Sequence, residues 1–500
     1  DEYYIWDCAA GTGNLLANFK DKYRIFASDF DKSNVDIMKE LAKTKESEIK
    51  LNLLENHIFT FDFLNDDFSS LPQTLQEILK DEKKREKLII FINPPYAEHG
   101  NKTSIKDKSK SAKTAVAQDF KTYENYTAEF GTAVRELFAQ FFIRIYKEIQ
   151  GCILASFSTP KYINSQNFEK FRKMFKAEFK KGFVCPAYTF DNVKGQFPIG
   201  FLIWDLNSRQ QITKIQLDAF GENGEFIGKK GFYVENKFIS AWLRKFYDKN
   251  GENLAWLILP GVDMQVQNGI YFTNNPTQSD IKQHKLAQIT KSNLIVFCVY
   301  FAVRQAIKIS WLNNKDQFLH PNEKWQKDIE FQNDCLAFAL FHGQNKISSK
   351  ESVNHFIPFD ENEVGAKERF KSDFMFRFLR GKIVREKVQN KLFETKSEFI
   401  PTKPLEFSDE ARAIFKAGRE LWAYYHSQNF NDFKKPYNAN ASLYDIKAHF
   451  QGFNENGKMN APQKATDTHY KDLIAALNLT LKALATKITP KIYEYSFLKK

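Results

Sequence analysis

Five hundred residues exceed what a single hydrophobic core supports, so the chain is expected to divide into domains. A hydrophobic content of 43% excludes a disordered chain, and five scattered cysteines exclude a disulfide framework or a Cys-x-x-Cys zinc site. The 73 basic against 61 acidic side chains, a net charge of +12, suit a polyanionic partner, because each neutralised phosphate releases counterions.

Single thiols at Cys8, Cys152, Cys185, Cys298 and Cys335 fit a reducing, cytoplasmic setting. The longest apolar run, Leu294 to Val303, is too short to span a bilayer, and we read it as a buried strand with no membrane association. The chain opens at Asp1 directly inside a strand-like run, from which we expect an N-terminal portion to have been removed.

In chain order, strands are predicted at Tyr3 to Asp7, Arg24 to Asp29, His57 to Asp62 and Leu88 to Ile92. Helices are predicted between them at Asn14 to Asp21, Lys32 to Lys45 and Leu71 to Glu86. This alternation argues for an α/β fold, a parallel sheet covered by helices. A helix from Ala128 to Ile149 and a strand from Gly151 to Phe157 continue it. Gly182 to Phe190 and Gly200 to Leu206 follow without a long helix between them, which suits an antiparallel hairpin at one edge of the sheet. Asn101 to Asp119, rich in Lys, Ser and Thr, reads as a loop, either an ordinary solvated one or one placed to close over a substrate. From about Ser208 the alternation fades into an irregular α+β region reaching Pro404, with strand-like pieces at Phe226 to Val234 and Ala255 to Leu259. From Ser408, a capped start, the pattern turns helical again, with Ala413 to His426 and Tyr470 to Lys487 the clearest segments.

In an open parallel sheet, ligands sit beyond the carboxyl ends of the strands. Four such ends carry Asp7, Asp29, Asp62 and Asn93. Asp7-Cys8-Ala9-Ala10-Gly11-Thr12-Gly13 lets backbone approach a ligand closely, but Leu16 stands where a dinucleotide fingerprint needs a third glycine. An acid at the mouth of this loop repels a pyrophosphate and attracts a ligand carrying an amino group. Asp29 is placed to accept from both hydroxyls of a ribose; its neighbour Asp31 reads as a helix cap. Asp62 is placed to accept from an adenine amino group. Asn93-Pro94-Pro95-Tyr96 carries the most chemistry. Its prolines fix the backbone so that an amide oxygen and a carbonyl oxygen converge on one NH₂ group, beside an aromatic ring able to stack on an extruded base.

Together these residues resemble the amino-methylating DNA methyltransferases, specifically the adenine-N6 group in which the cofactor loop precedes the catalytic tetrapeptide. The resemblance implies a Rossmann-like methyltransferase sheet and S-adenosyl-L-methionine as cofactor. It assigns Asp7, Ala9, Gly11, Gly13, Asp29, Asp62, Phe63 and Asn93 to that cofactor, and Asn93, Pro94, Pro95 and Tyr96 to catalysis. In the family, the position matching Asn93 accepts from the target amino group through its side chain, that matching Pro94 through its carbonyl, and that matching Tyr96 stacks on the flipped adenine. Cys8-Ala9-Ala10 departs from the family's usual Pro-x-Cys in this loop. Further segments, among them Phe197 to Trp204, Phe331 to Asp334 and Tyr444 to Gly452, resemble large bacterial methylases of restriction–modification systems.

The resemblance therefore implies residues 1–207 as catalytic domain, 208–404 as DNA target-recognition region and 405–500 as a helical region. Double-stranded DNA is the expected partner; Arg304, Lys308, Asn313, Asn314 and Lys315 form a basic, amide-rich stretch that is either ordinary surface or a face turned to DNA. The tetrapeptide pattern also serves enzymes that methylate RNA bases or protein glutamine, and a scaffold subunit with a vestigial methylase fold is a further alternative. The basic charge and long polar region favour duplex DNA. No metal site is expected, and any nuclease domain or subunit is expected outside this chain.

Overall fold

Short β-branched and aromatic runs, each ending in an acid or amide, build the sheet of the N-terminal unit. The computed structural model describes residues 2–44, 51–95, 119–190, 193, 195–383, 399–431 and 436–499. The chain divides into two units, Asp1–Asn236 with Ser310–Asp316, and Lys237–Ile309 with Gln317–Lys499.

In the first unit the strands are β1 (Tyr4–Asp7), β2 (Ile25–Asp29), β3 (Ile58–Thr60), β4 (Leu88–Ile92), β5 (Ile153–Ser158), β6 (Glu178–Pro186), β7 (Pro198–Asp205), β8 (Lys214–Phe220) and β9 (Phe226–Tyr233). They form a nine-stranded sheet in the order β3-β2-β1-β4-β5-β7-β6-β8-β9. The first five strands are mutually parallel, and β7 runs antiparallel to both β5 and β6. The fold is thus α/β with a Rossmann-like, mostly parallel sheet and an antiparallel hairpin. The hairpin is not at the sheet's edge, as the sequence led us to expect. β8 pairs with β6, and β9 with β8, so residues assigned to the recognition region extend this sheet.

Successive side chains along a strand point to opposite faces, and the two cores follow from that. Ile25 and Ala27 of β2 pack with Val35 and Met38 of the helix Lys32–Lys43 on one face. Phe26 packs on the other face, where Leu88, Ile90 and Ile92 of β4 meet Phe138, Phe142 and Ile145 of the helix Leu137–Glu148. Burial on both faces is what a parallel, doubly covered sheet requires. Trp6, fully buried, donates its indole N–H to Ser28 Oγ at 3.0 Å and ties β1 to β2.

Two predicted helices are cut short for local reasons. Asn14 to Asp21 is reduced to a 3-10 turn, Asn14–Leu16, followed closely by Asn18 at φ 66°. The segment from Ala128 to Ile149 is split by Gly131 at φ 63° into Lys121–Phe130 and Leu137–Glu148. The segment 101–118 and Tyr96 lie outside the described residues.

The second unit holds a three-stranded antiparallel sheet, β11 (Tyr271–Thr273), β10 (Ala255–Leu259) and β12 (Lys285–Ile289) in that order, together with, among the described residues, five longer helices. Leu294 to Val303 is not a strand. It is the helix Leu294–Gln305, buried along Leu294 to Arg304, and an element apolar all round is as compatible with a buried helix as with a strand. The helices Asp409–Ser427 and Thr468–Glu494 share one hydrophobic core with it, so the segment after residue 405 is not a separate body. Ser408 caps its helix as expected, accepting from Ala411 N. Among the described residues, no helix is long and apolar enough to cross a membrane.

Candidate functional site

The strand order places a topological switch between β1 and β4: the chain runs outward from β1 through β2 to β3, then returns to the other side as β4 and β5. Such switch points form the binding crevice of open α/β sheets. Register sets the relative heights. Asp7 lies level with Ala27, and Trp6 with Ile90, so Asp29 and Asn93 both stand two residues beyond Asp7 on the two strands flanking β1. Two residues of strand rise about 6.6 Å. Asp29 and Asn93 therefore stand on either side of the turn that follows Asp7. Thr60, the last residue of β3, is level with Asp29, so Asp62 lies two residues past the end of the next strand.

The turn itself depends on left-handed glycines, Gly11 at φ 54° and Gly13 at φ 86°. A Cβ at Gly11 would meet nothing within 4 Å, so open space lies beside the loop there. A Cβ at Gly13 would approach Leu51 Cδ1 to 2.8 Å and Met38 Cγ to 3.2 Å. Gly13→Ala adds that crowding to the 1–2 kcal/mol that left-handed backbone costs an L side chain. We expect it to lower the midpoint of thermal unfolding by several degrees. An unchanged melting curve would mean the turn is not built this way.

Asp7 is 1% exposed, and its Oδ1 accepts from Ala9 N at 3.1 Å. Burial pushes its carboxyl up to about 7, partly offset by that hydrogen bond and reinforced by the Asp29 charge. A carboxylate so placed gains most from a neighbouring cation.

Asp29 is 6% exposed and holds the turn in place. Its Oδ2 accepts from Gly11 N at 2.9 Å, and its Oδ1 from Asp31 N at 2.9 Å and Asn34 Nδ2 at 3.0 Å. A carboxylate offers about four acceptor positions, so protein donors among the described residues occupy all but one. Asp31 caps the helix Lys32–Lys43, its side chain accepting from Ser33 N.

Asp62 is half-buried and accepts from Leu64 N at 3.0 Å and Asn65 Nδ2 at 2.8 Å, one on each oxygen. It shapes its turn and keeps acceptor capacity. Phe63, assigned to the cofactor, turns its ring into the core. At 2% exposed, its ring packs against Trp6, Phe68 and Phe141, with Arg144 over it, and no face is left for a ligand. Its place in the chain next to a strand-end acid could not reveal this, because the direction of a turn decides which side chain enters the core. Phe30 is the aromatic the sequence reading missed. It follows Asp29 directly and is 73% exposed. An aromatic just past a strand-end acid, outside the strand's alternation, was the available signal.

At the end of β4, Asn93 is exposed, Pro94 buried and Pro95 exposed. The residues assigned to face DNA are mostly elsewhere engaged. Arg304 is fully buried, donating to Tyr300 Oη at 2.9 Å and to the carbonyls of Gly261 and Asp263, with Phe318 under its guanidinium. Asn314, 8% exposed, donates to the Gln196 carbonyl. Asn313 and Lys315 are half-buried, the latter over the Phe197 ring, and Lys308 is exposed. Among the described residues, no group of three or more His, Cys, Asp or Glu side chains could hold a metal ion.

No protein-family profile matches this chain, and no curated protein matches it. Among solved structures, a DrdV–DNA complex aligns at 17% identity and TM-score 0.29, over 47% of this chain and 25% of that one. The M protein of the type I restriction enzyme EcoKI aligns at 10% identity and TM-score 0.28, over 44% of each chain. The type IIL restriction-modification enzyme MmeI, in complex with DNA, aligns at 10% identity and TM-score 0.32, over 99% of this chain and 70% of that one. This chain thus spans a quarter of the length of the DrdV chain it matches. The case for function rests on the chain's own residues.

Proposed function

We propose that the first unit is an S-adenosyl-L-methionine-dependent methyltransferase acting on the exocyclic amino group of a flipped-out adenine in double-stranded DNA, as the modification component of a restriction–modification system. The observation that carries this reading is the gathering of Asp7, Asp29, Asp62 and Asn93 at the carboxyl ends of four adjacent parallel strands, on both sides of the switch point.

The residues present fit the cofactor. Asp7, buried at the mouth of the Ala9–Gly13 turn, suits its amino and sulfonium charge. Asp29 has room for one ribose hydroxyl, Asp62 for the adenine amino group, and the exposed Phe30 ring suits the adenine face. When bound, the cofactor supplies a methyl group already activated by its positive sulfur. The chain's part is placement. Asn93 Oδ1 and the Pro94 carbonyl would accept the two hydrogens of the target amino group, with Tyr96 stacked on the base. Those acceptors oppose delocalisation of the nitrogen lone pair into the purine, and in-line placement then suffices without a strong base. The net charge of +12 suits a DNA partner.

The test is label transfer from tritiated S-adenosyl-L-methionine, offered in parallel to duplex DNA, RNA and protein, followed by identification of the labelled base. Label on DNA adenine is expected. Label on RNA or protein with none on DNA rejects the reading.

A further inference from the structure

The turn that follows β3 is held in two separate ways. Its backbone is clamped by two helices. Arg144, 6% exposed on the helix Leu137–Glu148, donates to the carbonyls of Phe63 and Asp66, the second at 2.6 Å. Thr122, on the helix Lys121–Phe130, donates to the Leu64 carbonyl through its backbone N at 3.2 Å and through Oγ1 at 2.8 Å. The Asp62 carboxylate is held by other groups. Leu64 N donates to its Oδ1 at 3.0 Å, and Asn65 Nδ2 to its Oδ2 at 2.8 Å.

Asn65 is half-buried, and its amide is engaged at both ends. Its Oδ1 accepts from Lys121 N at 3.0 Å while its Nδ2 serves Asp62. Lys121 is the first residue of its helix, so its N–H is one of the donors that a helix leaves without an internal partner. A backbone N–H can only donate. The Asn65 oxygen must therefore face Lys121, and its NH₂ must face Asp62. The direction of this amide is thus set by a helix that begins 56 residues further along the chain. A carboxylate at position 65 would offer acceptors at both ends and set a like charge against Asp62.

A carboxylate with a donor on each oxygen cannot turn about its Cβ–Cγ bond without breaking both contacts, so its remaining lone pairs keep one direction. Such a fixed acceptor favours an amino group and rejects a carbonyl in the same place. One that turns freely relaxes away from the mismatch. We propose that Asn65 is a positioning residue that aims Asp62 at the exocyclic amino group of the cofactor's adenine, so that the site rejects a purine carrying oxygen at that position. The proposal rests on the methyltransferase reading given above and deepens it, because it assigns the choice of purine to an amide that touches no ligand.

The experiment is calorimetric titration of the full chain with two probes, S-adenosyl-L-methionine and S-inosyl-L-methionine, in which a carbonyl replaces the exocyclic amino group. Melting temperature is measured alongside. The wild-type chain is expected to prefer the amino probe by about tenfold or more, the scale of one hydrogen bond to a charged group. Asn65→Asp keeps an acceptor for Lys121 N but turns a carboxylate towards Asp62, whereas Asn65→Ala removes both contacts. Lys121→Pro leaves Asn65 in place and removes the N–H that sets its amide. Proline suits the first position of a helix, and Phe120 before it is extended, at φ −100° and ψ 140°, as a residue preceding proline must be. Both Asn65 variants are expected to narrow the preference by about tenfold, with Lys121→Pro moving in the same direction. Melting temperatures should change little, because Arg144 and Thr122 still clamp the turn. An unchanged preference in both Asn65 variants would show that Asp62 keeps its direction without Asn65, and the proposal falls. An equal loss of affinity for both probes, with a lower melting temperature, assigns Asn65 a structural role and overturns it too. A wild-type chain that binds both probes equally well overturns the proposal while leaving the methyltransferase reading, which label transfer tests independently. A wild-type chain that binds neither probe and transfers no label is failure of that reading itself, and the role of Asn65 falls with it.

Discussion

Asn93→Ala is expected to lower the single-turnover rate of methyl transfer by about 10²–10³-fold, the scale of deleting one preorganised polar contact to a reacting group. Asn93 is exposed just past the end of β4, beside β1 and level with Asp29 across the switch point. An exocyclic amino nitrogen is a poor nucleophile because its lone pair is shared with the ring. An acceptor on each hydrogen favours the tetrahedral form that presents the lone pair. The Pro94 carbonyl alone would supply one of the two acceptors. Cofactor affinity, measured by calorimetry, should fall by far less than the rate, since the Asn93 side chain is proposed to serve the target and is only one of several groups assigned to the methyl donor. Asn93→Asp keeps an acceptor and should retain more activity than Asn93→Ala. Transfer by Asn93→Ala at a rate within a few-fold of wild type would defeat the assignment.

Asp7→Asn is expected to stabilise the unliganded protein at alkaline pH while weakening cofactor binding. Burial raises the Asp7 carboxyl from 3.8 to about 7. Between those values the folded protein holds a proton that the unfolded chain has released. Stability from this group is therefore fully present below pH 3.8 and is lost as pH rises towards 7. Three pH units correspond to about 4 kcal/mol. Asparagine keeps the oxygen that accepts from Ala9 N and carries no charge at any pH. The variant should exceed the parent by only about 1 kcal/mol near pH 4.5 and by up to about 4 kcal/mol at pH 8, read from urea unfolding at the two pH values. The ligand should reverse the ranking. Wild-type affinity for S-adenosyl-L-methionine should rise with pH through 7 as Asp7 ionises to meet the cationic ligand, and at pH 8 Asp7→Asn should bind at least tenfold more weakly. A variant that is no more stable at pH 8, or that binds as well as wild type, would show that the charge of Asp7 does not face the ligand.

The sequence by itself determined the first half of the sheet and the identity of its strand ends. β4 runs over the predicted residues Leu88 to Ile92, and Asp7 and Asn93 stand where the strand endings placed them, because a short apolar run stopped by an acid or a Pro-Pro pair has few other solutions. The Ser408 cap was legible for a similar reason: capping is a contact between residues three apart. What the chain's pattern could not reveal is set by contacts across long sequence distances. Leu294 to Gln305 is apolar all round, so its periodicity does not separate strand from helix, and only burial within one core with the helices Ile329–Phe341 and Thr468–Glu494 decides it. Arg304 looks like a cation for DNA until three groups from Gly261, Asp263 and Tyr300 meet its guanidinium. Asp29 was readable as a strand-end acid, but the number of its free lone pairs depends on Gly11 and Asn34 folding back onto it. Local chemistry thus determined which groups the protein carries at its strand ends. The tertiary structure decided which of their donors and acceptors remain for a ligand, because hydrogen bonds between distant segments saturate some of them and leave others open.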